Sequence, residues 1–228
     1  MGIADTAGDL ISQVIARQAV GFFHLRRGDL DRAVPTLEAA LELDQRAQST
    51  WVELVRAALG YAYLLAGRVD EGFPFLEPQK DFRRMDQALQ VHWLAEANLL
   101  TGRIDEAARL ATEVLALARA HHEHGHEAWA LRLLGEIALR REPLDADSAE
   151  RAYRQSIAIA DRLEMRPLEG HCRWGLARLY RRAGRPDPAR EELQAGLALF
   201  RAMGMTYWVS PAEAELKALR SSSCPEED

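Results

Sequence analysis

Lysine is nearly missing from this sequence, in which only Lys80 and Lys217 are lysine among 29 basic residues. Neither lies in a glycine-rich segment, and the pattern Gly-x-x-x-x-Gly-Lys-Ser/Thr does not occur. A phosphate-binding loop of that kind is therefore excluded. The use of arginine in place of lysine indicates a GC-rich bacterial gene.

Cysteine is also scarce. Cys172 falls in a helical pattern and Cys224 in the polar segment 221–228, so a disulfide framework is not expected and a reducing cytosol fits best. Residues 1–10 carry no basic side chain, and the long apolar run that a membrane span needs is absent. We therefore predict a cytoplasmic protein with neither an export signal nor a membrane span.

Aromatic residues make up only 7% of the chain, although 48% of it is hydrophobic. Ala, Leu, Arg and Glu are abundant and β-branched runs are few, so the composition favours helices over strands. The net charge of -6 repels a phosphate backbone, so nucleic acid is not expected as a partner.

The sequence does contain an internal repeat. Residues 20–33 align with 59–72, and the same frame returns near 94, 134 and 176. One small residue marks the same point in each copy: Gly21, Gly60, Ala95, Gly135 and Ala177. They are separated by 39, 35, 40 and 42 residues, a spacing that suits one helical hairpin per repeat.

Each repeated position has a physical reason. A second small residue lets the paired helices approach closely where they cross, and these residues are Ala33, Gly72, Ala107, Ala149 and Ala189. The glycines expected to end the first helix in the left-handed conformation are Gly28, Gly67, Gly102 and Gly184. The carboxylates expected near the exposed amides of the second helix are Asp31, Asp70, Asp105, Asp147 and Asp187.

Together these features predict an all-α fold, a right-handed α-solenoid of about five helix hairpins with a C-terminal capping helix. A single domain over 1–220 would contain repeats at about 8–46, 50–86, 87–122, 125–164 and 166–204, followed by the cap at 211–220. Residues 221–228 are expected to form a disordered tail.

The arrangement of small residues around a turn resembles the tetratricopeptide repeat (TPR) over about residues 8–205. More narrowly, 126–137, 165–172 and 175–180 resemble the C-terminal TPR regions of bacterial adenylate/guanylate cyclase–AAA ATPase signalling proteins. The resemblance implies protein binding rather than catalysis, because no cyclase or ATPase segment is present in this sequence. Three residues depart from the repeat pattern, which commonly has Trp or Leu there: Arg17, Arg56 and Arg173.

In such stacks the first helices line a concave surface. We call the small residue that marks each copy its landmark, and the positions around the landmarks predict a groove that binds a protein or peptide. The groove would be lined by Gln18, Phe22, Arg26, Tyr61, His92, Glu96, Trp129, Arg132, Glu136, Trp174, Arg178 and Arg182. Aromatic rings supply buried area there, and guanidinium groups orient carboxylates. Helical spacing alone does not decide whether the four aromatic residues line the groove or pack between hairpins.

Residues 166–190 carry seven arginines against Glu169 and Asp187. This local excess of positive charge predicts an acidic peptide or domain as the partner. A solvated helix face with paired charges is the alternative.

A catalytic site is not expected, since no serine has the context of a nucleophile elbow and the acidic residues do not converge recognisably. The histidines at 121, 122, 124 and 126 indicate a turn between repeats rather than a metal site. Neither a metal nor a cofactor is predicted.

We interpret the chain as a protein-interaction module, the regulatory or sensory part of a bacterial signalling protein. Two alternatives stay open. One is a small-molecule-sensing regulatory domain whose effector fills the concavity and shifts its curvature. The other is a self-associating scaffold, a homo-oligomer in which terminal repeats stack between chains.

Overall fold

The computed structural model describes residues 9–47, 52–77 and 87–221. These ranges contain eleven helices and no strand, so the all-α prediction is confirmed. The chain divides into two compact units, residues 1–97 and 98–228, which we call unit 1 and unit 2. The prediction of one repeat domain over 1–220 stays a prediction.

Unit 1 contains two helical hairpins and most of a fifth helix. Its helices are α1 (Leu10–Arg27), α2 (Leu30–Ala47), α3 (Val52–Leu65), α4 (Val69–Leu76) and α5 (Gln87–Leu100), whose last three residues belong to unit 2. The first two helices pack on each other, as do α3 and α4. Their core includes Leu37, Leu59 and Trp93, each at most 1% exposed.

Unit 2 continues the same pattern. Its helices are α6 (Ile104–Ala120), α7 (His124–Arg140), α8 (Ala146–Arg162), α9 (Arg166–Arg182), α10 (Pro186–Ala202) and α11 (Thr206–Ser221). The hairpins α7–α8 and α9–α10 pack on each other through α8 and α9. Every second helix of a hairpin carries its predicted aspartate in the first turn, where the helix dipole favours a negative charge.

The turns inside the hairpins depend on glycine. Gly28, Gly67, Gly102 and Gly184 have φ between 70° and 79°, as predicted for residues that end a helix in the left-handed conformation. At Gly184 the backbone N–H donates to the carbonyl of Arg181 at 3.1 Å, and the next N–H donates to Tyr180 at 2.8 Å. The same pair of bonds closes the other three turns, which fixes the direction in which each second helix begins.

Close helix approach occurs where the repeat landmarks predict it. A Cβ added to Gly60 would lie 2.8 Å from the carbonyl oxygen of Gly72, so only glycine fits at this crossing of α3 and α4. In unit 2 the fully buried ring of Tyr153 lies between Gly135 and Gly175, and a Cβ on either glycine would overlap it. One aromatic ring on α8 therefore replaces the side chains that α7 and α9 lack.

The last helix is longer than predicted. It begins at Thr206 rather than near Pro211, which lies inside it. Leu216 and Leu219 lie in the core of unit 2, where the sequence places the cover of the last hairpin. The predicted disordered tail, apart from its first residue, lies outside the described residues. None of the described helices has the length and apolar character needed to cross a membrane.

Two glycine substitutions on α7 should have opposite effects on stability. Gly135→Ala places a methyl group 2.9 Å from the enclosed Tyr153 ring, and we expect a net loss of about 1–2 kcal/mol in the free energy of unfolding. Gly125→Ala meets only Met165 at 3.8 Å, so it should gain about 0.5–1 kcal/mol from helix propensity. Urea denaturation measures the change in the free energy of unfolding for both variants. Two changes of the same sign would contradict the role given to Tyr153.

Candidate functional site

An aromatic cluster joins the first helices of successive hairpins in unit 2. Trp129 on α7, His171 and Trp174 on α9 and Trp208 on α11 form what we call the aromatic face. The His171 ring lies 5.8 Å from Trp129 and 4.7 Å from Trp208, and Trp174 lies 6.2 Å from Trp208, measured between ring centroids. All four side chains are half-buried, so each keeps a surface that faces solvent.

An arginine lies over each tryptophan of α7 and α9. The guanidinium carbon of Arg132 is 5.3 Å from the Trp129 ring centre, and that of Arg178 is 5.1 Å from the Trp174 ring centre. Each arginine is three or four residues beyond its tryptophan, so both pairs lie on one helix face. Such cation–π contacts restrict the ring as well as the guanidinium group.

The two helices are also tied by a buried ion pair. Arg178 Nη2 of α9 lies 2.5 Å from Glu136 Oε1 of α7, whose side chain is 6% exposed. Burial alone would raise the pKa of Glu136, but the positive charges of Arg178, Arg132 and Arg140 outweigh it and lower the pKa. Burial and the neighbouring Glu136 charge raise the pKa of Tyr153 well above its ordinary value. Glu136 is therefore ionised at neutral pH and holds Arg178 against Trp174.

The groove residues predicted in unit 1 are packed differently. Phe22 contacts the buried Trp93 edge to face at 5.5 Å, and Tyr61 stacks on the same ring at 6.0 Å. For these two aromatics the structure shows packing between hairpins, the alternative that helical spacing left open. Three further predicted groove residues, Gln18, His92 and Glu96, are buried, whereas Arg26 is half-buried. A partner-binding role for these six residues stays a prediction.

Most arginines of segment 166–190 are paired within the chain. Five of the seven lie 2.5–4.0 Å from a carboxylate: Arg173 from Glu169 and Glu192, Arg178 from Glu136, Arg182 from Glu142, Arg185 from Glu150, and Arg190 from Asp187. Arg182 also donates to the carbonyl of Leu139, so it holds the longer α7–α8 turn. The paired charges explain how Arg173 is accommodated where the repeat pattern has Trp or Leu. The acidic partner predicted from this segment stays a prediction.

Sequence reasoning left three aromatic contributors out of the predicted groove. His171 and Trp208 complete the aromatic face, and Trp93 is the centre of the cluster in unit 1. His171 and Trp174 are three residues apart on α9, a helical spacing that places them on one face. Trp208 precedes the predicted cap at 211–220, and only the packing of α11 on α10 brings it to His171.

Two of the four histidines at the α6–α7 junction, His121 and His122, lie in the predicted turn, whereas His124 and His126 lie in the first turn of α7. Residues 122–126 have the His-Glu-x-x-His spacing of zinc proteases, which requires both histidines on one helix face. Here His122 lies in the turn with φ 57° and the helix begins at His124. His126 lies 3.0 Å from Glu123. The part of the chain that the structure describes contains no group of three residues able to hold a metal ion.

Removing the Glu136 carboxylate should destabilise unit 2 in a pH-dependent way. Glu136→Gln leaves Arg178 without its buried counter-charge, and we expect a loss of about 3 kcal/mol at pH 7. A carboxylate with a lowered folded-state pKa stabilises the fold above its unfolded-state pKa and loses that contribution as pH falls through the folded-state value. The difference from the unsubstituted protein should therefore be constant above pH 5.5 and shrink below about 4.5.

Equilibrium denaturation between pH 3 and pH 8 checks this expectation. Glu106→Gln is the matched control, because it removes a carboxylate whose ion pair with Arg109 is exposed and should leave stability nearly unchanged. Equal losses for the two variants, or a Glu136 effect that grows in acid, would show that the pair does not tie α7 to α9.

Comparison with known proteins gives a likeness in fold. No family model matches this sequence, and no curated protein matches it. Two solved structures that are similar belong to a Podosopora anserina protein described as a kinesin light chain with nearly identical TPR-like repeats. One is a variant with 22% identity and a TM-score of 0.54, over 82% of this chain and 93% of that one. The other has 20% identity and a TM-score of 0.47, over 85% and 95% of the two chains. The likeness to the first structure, together with the hairpins and their glycine turns, shows that this chain has a TPR-like fold.

Proposed function

We propose that this protein is an interaction module and that a segment of a partner protein docks on the aromatic face of unit 2. TPR-like repeats generally mediate contacts between proteins. The observation that carries the proposal is that Trp129 and Trp174, which lie on successive first helices and are both half-buried, each have an arginine over the ring. Aromatic residues and arginine are the side chains that contribute most binding energy at protein interfaces.

The aromatic face is ordered before any partner arrives. Trp174 contacts Phe200 and Trp208, while Arg178 is held by both the indole ring and Glu136. Fixing a rotamer-rich side chain on binding costs about 0.5–1.5 kcal/mol, and this cost is already met for Arg178 in the free protein. A preformed surface of this kind favours a partner that supplies its own flexible segment.

The chemistry of the surface indicates the character of that segment. The ring faces suit apolar or aromatic side chains, and the guanidinium edge of Arg132 suits a carbonyl or carboxylate. Two exposed arginines of α9, Arg166 and Arg181, have no ion-pair partner among the described residues and add positive charge to this helix. We propose a partner segment that combines apolar anchors with acidic residues. The cellular setting we propose is the bacterial cytoplasm, with the module regulating a signalling enzyme of the cyclase–ATPase kind.

Truncating Trp129 and Arg132, two half-buried side chains of α7, should strongly reduce partner capture. Trp129→Ala with Arg132→Ala removes one ring and one guanidinium group without breaking the Glu136–Arg178 pair. Pulldown from the native host followed by quantitative mass spectrometry should show specific partners reduced at least tenfold, equivalent to about 1.4 kcal/mol.

The matched control is Arg162→Ala with Leu163→Ala, which removes the same kinds of atoms from exposed positions at the end of α8. This control should capture the same proteins as the unsubstituted chain. If both double variants lost them, or neither did, the aromatic face would not be the docking surface. Circular dichroism of both variants separates lost binding from lost folding.

Self-association is a second candidate, favoured by one exposed apolar stripe on α1. Ile11, Ile15 and Phe23 are 45%, 46% and 57% exposed, and with Ala19 they recur every four residues. An exposed apolar stripe of this kind is unfavourable in water and is typical of a surface that contacts another protein. Asp9 lies at one end of this stripe and Arg27 at the other, so two antiparallel copies of α1 would match apolar with apolar and acid with base.

Charge on the stripe should prevent this association. Ile15→Glu is expected to lower the weight-average mass toward the monomer, because two copies would place carboxylates in an apolar contact. Sedimentation velocity over a hundredfold concentration range makes the measurement. Leu163→Glu, at an equally exposed leucine of unit 2, is the control and should not change the mass. An unsubstituted chain that stays monomeric throughout would remove this candidate.

A further inference from the structure

Unit 2 contains a cavity on a surface that the aromatic face does not use. It has a volume of about 520 Å³ and lies between α6, α7 and α8. Its lining is mostly apolar and comes from α6, α7, α8 and the turn between α7 and α8. Its size falls within the range of small-molecule sites, roughly 300–1,000 Å³.

The next pair of hairpins provides an internal comparison. Helices α6, α8 and α10 are each 17 residues long, as are α7 and α9, and the repeat landmarks put them in register. The space between α6 and α8 above α7 is therefore equivalent to the space between α8 and α10 above α9. Any difference between the two spaces must come from side chains at equivalent positions.

The space between α8 and α10 is filled by large charged side chains. Arg154 of α8 lies 2.8 Å from Glu192 of α10, and Arg173 of α9 lies 3.0 Å from the same carboxylate. Tyr180 donates to Glu150 at 2.5 Å and accepts from Arg154 at 3.0 Å. These five residues form one connected network that spans the groove.

The equivalent residues between α6 and α8 are too small to do this. In the same register, Glu150, Arg154, Arg173, Tyr180 and Glu192 correspond to Ala108, Thr112, Leu131, Ala138 and Ala152. All five of these smaller residues line the cavity. The cavity is thus the volume that an ion-pair network occupies one repeat further along, left open by substitution at every position of that network.

Polarity is not uniform around this space. Leu115, Leu134 and Ile137 complete the apolar floor of the cavity. The arginines of the lining, Arg119, Arg141 and Arg151, lie at its rim. Arg119 is engaged by Glu127 at 2.8 Å, and Arg141 lies 3.7 Å from Asp105. Arg151 is exposed and has no ion-pair partner in the described part of the chain. Asp145 is the one carboxylate in the lining, and it caps α8 by accepting from the backbone N–H of Ser148 at 3.2 Å.

We infer that this cavity binds a small amphiphilic anion, an organic acid with an aromatic or short aliphatic body. The body would displace water from the apolar floor, which is favourable because apolar area is removed from water. The acidic group would lie at the rim beside Arg151, where a guanidinium group offers two parallel donors to a carboxylate or sulfonate. This site lies on other helices than the aromatic face, apart from α7, and does not depend on the proposed partner.

Fluorescence titration with anilinonaphthalene sulfonate tests the inference, because this probe combines an aromatic body with an anionic group. Thr112→Arg with Ala152→Glu transfers the Arg154–Glu192 pair of the next groove into the cavity, so the variant should fold and fill the space with its own ion pair. We expect its affinity for the probe to fall at least tenfold. The matched control, Ala116→Arg with Ala120→Glu, adds the same charges at exposed positions of α6 outside the cavity lining and should bind normally.

Arg151→Gln tests the position of the acidic group. It should lower the affinity for the sulfonate probe several-fold and leave the affinity for the uncharged analogue N-phenylnaphthylamine unchanged. Circular dichroism and the melting temperature confirm folding of each variant. No binding to the unsubstituted protein, undiminished binding to the filled variant, or equal effects of Arg151→Gln on both probes would each overturn the inference.

Discussion

The structure depends on how closely two helices can approach where they cross. Between α7, α8 and α9 this distance is set by one ring, since Tyr153 fills the space left by Gly135 on one side and Gly175 on the other. In unit 1 the equivalent contact has no ring, and Gly60 meets Gly72 backbone to backbone. Both solutions bury apolar side chains between the helices of a hairpin, and this burial stabilises the hairpins far more than intrinsic helix propensity does.

This packing produces the candidate site as a consequence. Once successive hairpins stack through α8 and α9, the first helices α7 and α9 lie side by side and Trp129 contacts His171. The charge of Arg178 would be costly in this half-buried position without Glu136, so the ion pair that ties the helices also sets the geometry of the aromatic face. Stability and the proposed recognition surface share the same residues here.

Differences between side chains at equivalent repeat positions give the two grooves of unit 2 their different chemistry. One groove of unit 2 is closed by Arg154, Tyr180 and Glu192, and the groove before it is left open by Thr112, Ala138 and Ala152. Neither set changes the backbone register, because these positions point away from the crossing where glycine or alanine is required. A repeat fold can therefore acquire different surfaces along its length while the helix crossings stay the same.

The sequence by itself determined the helical class, the hairpin repeat and the left-handed turns, because these follow from local rules: apolar periodicity, small residues at crossings and glycine at positive φ. It also placed Trp129 and Trp174 on the first helices. It did not separate them from Phe22 and Tyr61, since helical spacing places a ring on a helix face without specifying what packs against it. Only the tertiary structure decided which residues contact each ring and each arginine, because partners such as Glu136 for Arg178 and Trp93 for Phe22 lie 42 and 71 positions away in the chain, which local periodicity does not specify.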